Sequence, residues 1–195
     1  NRHYPNLANA VFDAVRPALG PDAAANQALV RAAIGRHLQQ WNAATPLQGL
    51  RRTLALLAHD ADIVLDLHCD CEAELHLYSE HACWPRIEPL ARLLGVRAAL
   101  LASDTGASSF DECFSGVWWQ LAARLAQAAP SGAPVPPLPQ ACASATVELR
   151  GEADVDHALA QRDAQAILDY LAHAGVLHTD APVVLPPARC AATPL

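Results

Sequence analysis

A short apolar run in the first half of the chain constrains the fold more than any other feature. Residues 62–68, with the sequence DIVLDLH, are rich in β-branched and aliphatic side chains and carry them on both faces. The run is too short for a helix, and its pattern is typical of a central strand in a sheet that helices cover. It therefore predicts an α/β fold.

The sequence on either side of this run alternates between helical and extended patterns. Helices are expected at residues 5–19, 22–41, 45–59, 87–94, 110–129 and from Asp154 or Asp156 to His173, and further strands at 74–78, 96–102 and 143–149. In the third helix, the apolar stripe consists of Leu47, Leu50, Leu54 and Leu57. The alternation predicts a three-layer α/β sandwich with a mixed, largely parallel central sheet.

Composition argues against several classes of protein. The net charge is -7 and the thirteen basic residues, all arginine, are scattered along the sequence, which disfavours nucleic-acid binding. No charge-free apolar stretch reaches the length of about 18 residues that a membrane span needs. Three of the six cysteines fall within fifteen residues, which favours reduced thiols and a cytoplasmic location over a disulfide scaffold.

His68 stands at the end of the predicted central strand, where ligands gather in open α/β sheets. A histidine there can present a ring nitrogen to a metal. Strand alternation puts Asp66 on the same face, where it could orient the imidazole. The structural alternative is a polar residue that is satisfied without any metal.

Glu148 is a carboxylate in the middle of an apolar strand. Burying an unpaired charge costs several kcal/mol, so this group must be paired, protonated or functional. One interpretation is an ion pair with an arginine such as Arg150 or Arg2. The other is a catalytic carboxylate.

Three segments together resemble the succinylglutamate desuccinylase/aspartoacylase family, a group of zinc-dependent enzymes related to the zinc carboxypeptidases. They are Asn1-Arg2, Asp-Leu-His at residues 66–68, and Thr-Val-Glu at residues 146–148. The resemblance implies that His68 is a zinc ligand with Asp66 behind it. It also implies that Asn1 and Arg2 bind a substrate carboxylate and that Glu148 activates the zinc-bound water.

The activity implied by this resemblance is that of a zinc-dependent deacylase. Its substrate would be an N-acyl amino acid or a similar small carboxylate, whose amide bond is attacked by metal-activated water. Glu148 would take the proton from the water and return it to the leaving amine. Self-association into a homo-oligomer is left open.

Two features depart from the family pattern. The first two zinc ligands of the family come from a His-x-x-Glu segment, which does not occur in this sequence, and methionine is absent. We therefore expect the central part of a catalytic domain, truncated at both ends, with its other two zinc ligands upstream of Asn1. Residues 1–178 would form the partial catalytic domain, and residues 179–195 an irregular tail leading toward a C-terminal β domain. Alone, this stretch should be inactive and hold zinc weakly or not at all.

Two alternatives use the same fold without catalysis. One is a structural metal site in a dense group of cysteines and histidines, namely His68, Cys69, Cys71, His76, His81 and Cys83. It requires at least three of the last five of these side chains to converge, whereas the hydrolase requires His68 and Glu148 to share one cleft. The other alternative is a module that binds a small carboxylate.

Overall fold

The computed structural model describes residues 4–103, 109–190 and 192–194. The helices in these ranges are α1 (Leu7–Val15), α2 (Ala23–Gln40), α3 (Pro46–Ala58), α4 (Trp84–Leu94), α5 (Phe110–Ala128) and α6 (His157–His173), with a 3-10 turn at Arg16–Ala18. The strands are β1 (Ile63–Asp70), β2 (His76–Glu80), β3 (Ala98–Ala102), β4 (Ala143–Gly151) and β5 (Ala192–Pro194).

The five strands form one sheet in the order β1-β4-β2-β3-β5. Strand β2 is parallel to β3, and β3 is parallel to β5, whereas β2 is antiparallel to β4. Hydrogen bonds from Ala143 N to Asp62 O and from Glu152 N to Asp70 O show that β1 and β4 run in the same direction. The predicted α/β fold with a mixed, largely parallel sheet is confirmed.

The tail contributes a strand that the sequence pattern did not predict. Residues 179–195 were expected to be irregular, but Ala192–Pro194 pair with β3 at one edge of the sheet. Three residues are too few to show a period of two, and a proline disfavours a strand. An edge position tolerates proline, because one side of the strand has no neighbour to receive its hydrogen bonds.

Side-chain caps lie directly before α2 and α3, at the residues where the sequence predicts these two helices to begin. Asp22 accepts a hydrogen bond from Ala25 N, and Thr45 accepts one from Gln48 N. The last helix begins after Asp156, because the carboxylate of Asp154 is already used as an acceptor for Gly151 N at 3.0 Å. The local chemistry of these residues therefore sets the helix boundaries.

The leucine stripe of α3 does not form the buried face of this helix. Leu47, Leu50 and Leu57 are each more than half exposed, and Ala55 is the buried residue of this helix. Contact with α2 is made instead by Arg52, which donates from Nε to Leu38 O and from Nη2 to Gln39 O, both at 2.9 Å. The periodicity predicted the helix correctly but not the face that is buried.

The chain divides into two compact units, each with a core of its own. The first contains α1, α2, α3 and α5, and its buried side chains include Val15, Leu38 and Trp118. The second contains α4, α6 and most of the sheet, with Leu77 and Tyr170 buried. Within the ranges given above, no helix combines the length and the hydropathy that crossing a bilayer requires.

The cap of α6 leads to a prediction about stability. The Asp156 carboxylate accepts hydrogen bonds from Ala158 N (2.8 Å) and Leu159 N (3.0 Å). Because Asp156→Ala leaves both donors without this acceptor, we expect the free energy of unfolding to fall by about 1 kcal/mol in urea denaturation. Asp156→Asn keeps an acceptor and should cost much less. Equal losses in the two variants would show that the hydrogen bonds do not account for the effect.

Candidate active site

His68 and Asp66 lie on one face of β1, as strand alternation predicts. His68 Nε2 is 3.1 Å from Asp66 Oδ1, while the imidazole remains about one-third exposed. A proton on Nε2 can be donated to this carboxylate, which leaves the lone pair of Nδ1 available to another partner. The contact with Asp66 therefore orients the imidazole ring of His68 and leaves Nδ1 free to face Glu148.

Glu148 lies on the neighbouring strand β4 and approaches the same ring. Its Oε1 atom is 3.9 Å from His68 Nδ1, and the side chain is only 14% exposed. Its Oε2 atom is buried and has no hydrogen-bond partner among the residues that the structure describes. A buried carboxylate oxygen without a partner is costly, so this position favours a water molecule or a cation next to Glu148.

The ion pair between Glu148 and Arg150 that the sequence suggested is not formed. Arg150 instead donates from Nη1 and Nη2 to the two carboxylate oxygens of Asp163 on α6, at 2.6 and 3.0 Å. Its hydrogen bond to Asp163 raises the pKa of Arg150. With a φ of 79°, Arg150 is also left-handed, which interrupts the strand alternation that would put its side chain beside Glu148.

Two residues that sequence reasoning did not assign to this site lie on the same face. In the antiparallel register, His76 of β2 is opposite Glu148, and Tyr78 is opposite Thr146. The rings of His76 and Tyr78 contact each other edge to face, with centroids 5.3 Å apart. Directly opposite residues share a face of a sheet, so these rings extend the polar surface around Glu148.

The cysteines and histidines of the alternative structural metal site do not converge on a common point. His68, Cys69, Cys71, His76, His81 and Cys83 all lie within the described ranges, where no group of three or more potential metal ligands is found. Cys69 and Cys71 are exposed, whereas Cys83 is buried. The alternative of a structural metal site therefore lacks the convergence that it requires. Asn1 and Arg2 lie outside the described residues.

The side chains at this site provide some, but not all, of the ligands that a catalytic zinc ion needs. His68 offers Nδ1 as a ligand, and the unpartnered Oε2 atom of Glu148 supplies a buried acceptor on the same face. Catalytic zinc usually takes three protein ligands, and the described part of the chain contains no group of three or more residues that could hold a metal ion.

Comparison with solved structures gives two matches over nearly the whole chain. A proposed succinylglutamate desuccinylase/aspartoacylase from Shewanella frigidimarina NCIMB 400 has a TM-score of 0.72, with 25% sequence identity over 96% of this chain and 47% of its own. A proposed member of the same family from Shewanella amazonensis SB2B has a TM-score of 0.71, with 28% identity over 96% of this chain and 48% of its own. The resemblance to this family is confirmed.

These desuccinylase/aspartoacylase family structures are about twice as long as the chain, which spans about half of their length. No family profile matches the sequence, and no curated protein matches it. The likeness therefore rests on the fold and on identities of 25% and 28%.

The contact between Arg150 and Asp163 leads to a prediction about stability. We expect Asp163→Ala to lower the free energy of unfolding by about 3 kcal/mol, because it leaves the Arg150 guanidinium, only 15% exposed, without its charge partner. Asp13→Ala is the control: Asp13 is an exposed residue on α1, and its loss should change stability by less than about 0.5 kcal/mol. The free energy of unfolding is measured by chemical denaturation. Similar losses in the two variants would contradict the stabilising role of the contact between Arg150 and Asp163.

Proposed function

We propose that the chain carries part of the active site of a zinc-dependent deacylase that hydrolyses the amide bond of an N-acyl amino acid or a similar small carboxylate. The observation that carries this proposal is the approach of Glu148 Oε1 to His68 Nδ1, at 3.9 Å on one sheet face. The names of the two structural neighbours support the same class of reaction.

His68 is proposed as a zinc ligand through Nδ1. The contact of Nε2 with Asp66 at 3.1 Å supports this role, since a carboxylate on the far nitrogen fixes the ring orientation and makes the other nitrogen a better donor. When bound with one open position, zinc lowers the pKa of water toward about 7 and so supplies a nucleophile at neutral pH. By the family resemblance, the other two ligands precede Asn1.

Glu148 is proposed as the general base. Its carboxylate is held on a central strand beside the imidazole, and its Oε2 atom has no competing hydrogen bond from any described residue. A carboxylate placed in this way can accept a proton from an attacking water molecule and then donate it to the leaving nitrogen. Asn1 and Arg2 are proposed to bind the substrate carboxylate, for which the planar guanidinium of arginine is suited.

The absence of cystine supports a reducing location. All six cysteines fall within the described residues and are free thiols. Because disulfides persist mainly in oxidising compartments, this observation favours the cytoplasm as the place of action.

The base assignment is tested by Glu148→Gln in the full-length protein. The amide keeps the shape of the side chain but cannot accept a proton, so we expect kcat for N-acyl amino acids to fall by about 10²–10⁴-fold. Zinc content should stay at the wild-type level. Glu152→Gln, four residues further along the chain and exposed, is the matched control and should leave kcat unchanged. Full activity in Glu148→Gln would refute the role of Glu148.

The ligand assignment is tested separately by metal analysis, which does not depend on turnover. We expect His68→Ala to remove zinc from the purified protein, and Asp66→Asn to weaken zinc affinity by about 10–100-fold through the lost support of the ring. His157→Ala, at the exposed start of α6, should retain zinc. Wild-type zinc content in His68→Ala would show that the metal is bound elsewhere.

A further inference from the structure

Five of the thirteen arginines line a single pocket of about 290 Å³ in the second unit. They are Arg92, Arg97, Arg150, Arg162 and Arg189. The chain as a whole carries a net charge of -7, whereas the lining of this pocket is rich in positively charged side chains. A concave site lined by one sign of charge focuses the electrostatic field and attracts ions of the opposite charge.

The arginines come from five separate segments that the fold brings together. Arg92 belongs to α4, Arg97 precedes β3, Arg150 lies near the end of β4, Arg162 belongs to α6, and Arg189 lies in the tail before β5. None of these segments is a basic run in the sequence. The cluster is therefore a product of tertiary structure and not of local composition.

Two of the arginines are held in place by other contacts. Arg150 is fixed by the two hydrogen bonds to Asp163 described above. Arg92 donates from Nε to Pro186 O at 2.6 Å and from Nη2 to Leu185 O at 3.4 Å, which ties the tail to α4. These contacts order two walls of the pocket before any ligand arrives, and such preorganisation reduces the entropic cost of binding.

The other three arginines keep their guanidinium groups largely available. The side chains of Arg97 and Arg162 are 61% and 63% exposed, and their nearest carboxylates are 3.8 and 3.9 Å away. Exposed pairs of this kind contribute little energy and can be exchanged for a ligand. Arg189 has no ion-pair partner in the part of the chain that the structure describes.

The charge balance of the pocket favours an anionic ligand. Three carboxylates lie within 4.0 Å of these arginines: Glu74 beside Arg97, Glu88 beside Arg92, and Asp163 beside Arg150 and Arg162. Asp154 also acts electrostatically on Arg150, so five guanidinium groups face four carboxylates and the lining keeps a net positive charge. Several guanidinium forks in one positively charged pocket favour a ligand with more than one anionic group.

Gly95 lies beside one of the arginines of the pocket lining. It ends α4 in the left-handed conformation, with a φ of 73°, and a Cβ atom built on it would lie 3.4 Å from Arg189 Nη1. A side chain at this position would be strained by the positive φ, whereas its contact with the guanidinium would be an ordinary van der Waals contact. The glycine is therefore required by the backbone at the end of the helix, and Arg189 packs beside it.

We propose that this pocket binds a small molecule carrying a diphosphate or two neighbouring phosphate groups. Phosphate oxygens accept the paired hydrogen bonds that the fork of a guanidinium donates. Leu75, Leu93 and Leu94 also line the pocket beside the arginines. The pocket uses neither His68 nor Glu148, so binding here is independent of the proposed hydrolysis.

The test is calorimetric titration of the protein with pyrophosphate at constant ionic strength. We expect saturable binding in the wild type, and a Kd about tenfold weaker in each of Arg162→Gln and Arg189→Gln through loss of a charged donor. Arg36→Gln, at an exposed position on α2 outside the pocket, is the matched control and should leave Kd unchanged. Unaltered melting temperatures without ligand verify that the variants are folded.

Three outcomes would overturn the proposal. The first is the absence of saturable pyrophosphate binding, which would show that the arginines only hold the tail against α4. The second is an equal loss of affinity in Arg36→Gln, which would show non-specific charge attraction. The third is a citrate affinity equal to or above that of pyrophosphate, which would assign the pocket to polycarboxylates. Weaker binding of citrate and of inorganic phosphate would support a diphosphate ligand.

Discussion

The position of β4 between β1 and β2 is the constraint on which the candidate site depends. One neighbour, β1, brings His68 to within 3.9 Å of Glu148, and the other, β2, places His76 opposite Glu148 in register. A shift of one residue in either pairing would turn these side chains to the opposite face of the sheet. The same strand pairings that stabilise the sheet therefore set the chemistry of its polar face.

The sequence was sufficient to predict those features that depend only on neighbouring residues, such as strand alternation and helix capping. The period of two in DIVLDLH puts Asp66 and His68 on the same face, and capping chemistry predicts the starts of α2 and α3 at Asp22 and Thr45. These inferences depend only on neighbours along the chain. They were correct because backbone geometry determines them before any tertiary contact forms.

Features that depend on distant partners could not be placed in this way. The leucines of α3 have a clear helical period, yet Ala55 is the buried residue of this helix and Arg52 donates a hydrogen bond to the backbone of α2. Arg150 is two residues from Glu148, but a carboxylate on α6 decides its direction. The arginines that meet in the pocket are scattered in the sequence, and only the fold shows that five of them converge.

The left-handed backbone at Arg150 has a consequence for how this strand can change in evolution. Within three residues, β4 supplies a carboxylate to one polar surface and a guanidinium to a different, positively charged one. A one-residue insertion or deletion between Glu148 and Arg150 would reverse the direction of one of these side chains relative to the other, since successive residues of a strand point to opposite faces. The number of residues in this short segment therefore has to stay fixed for both side chains to reach their separate surfaces.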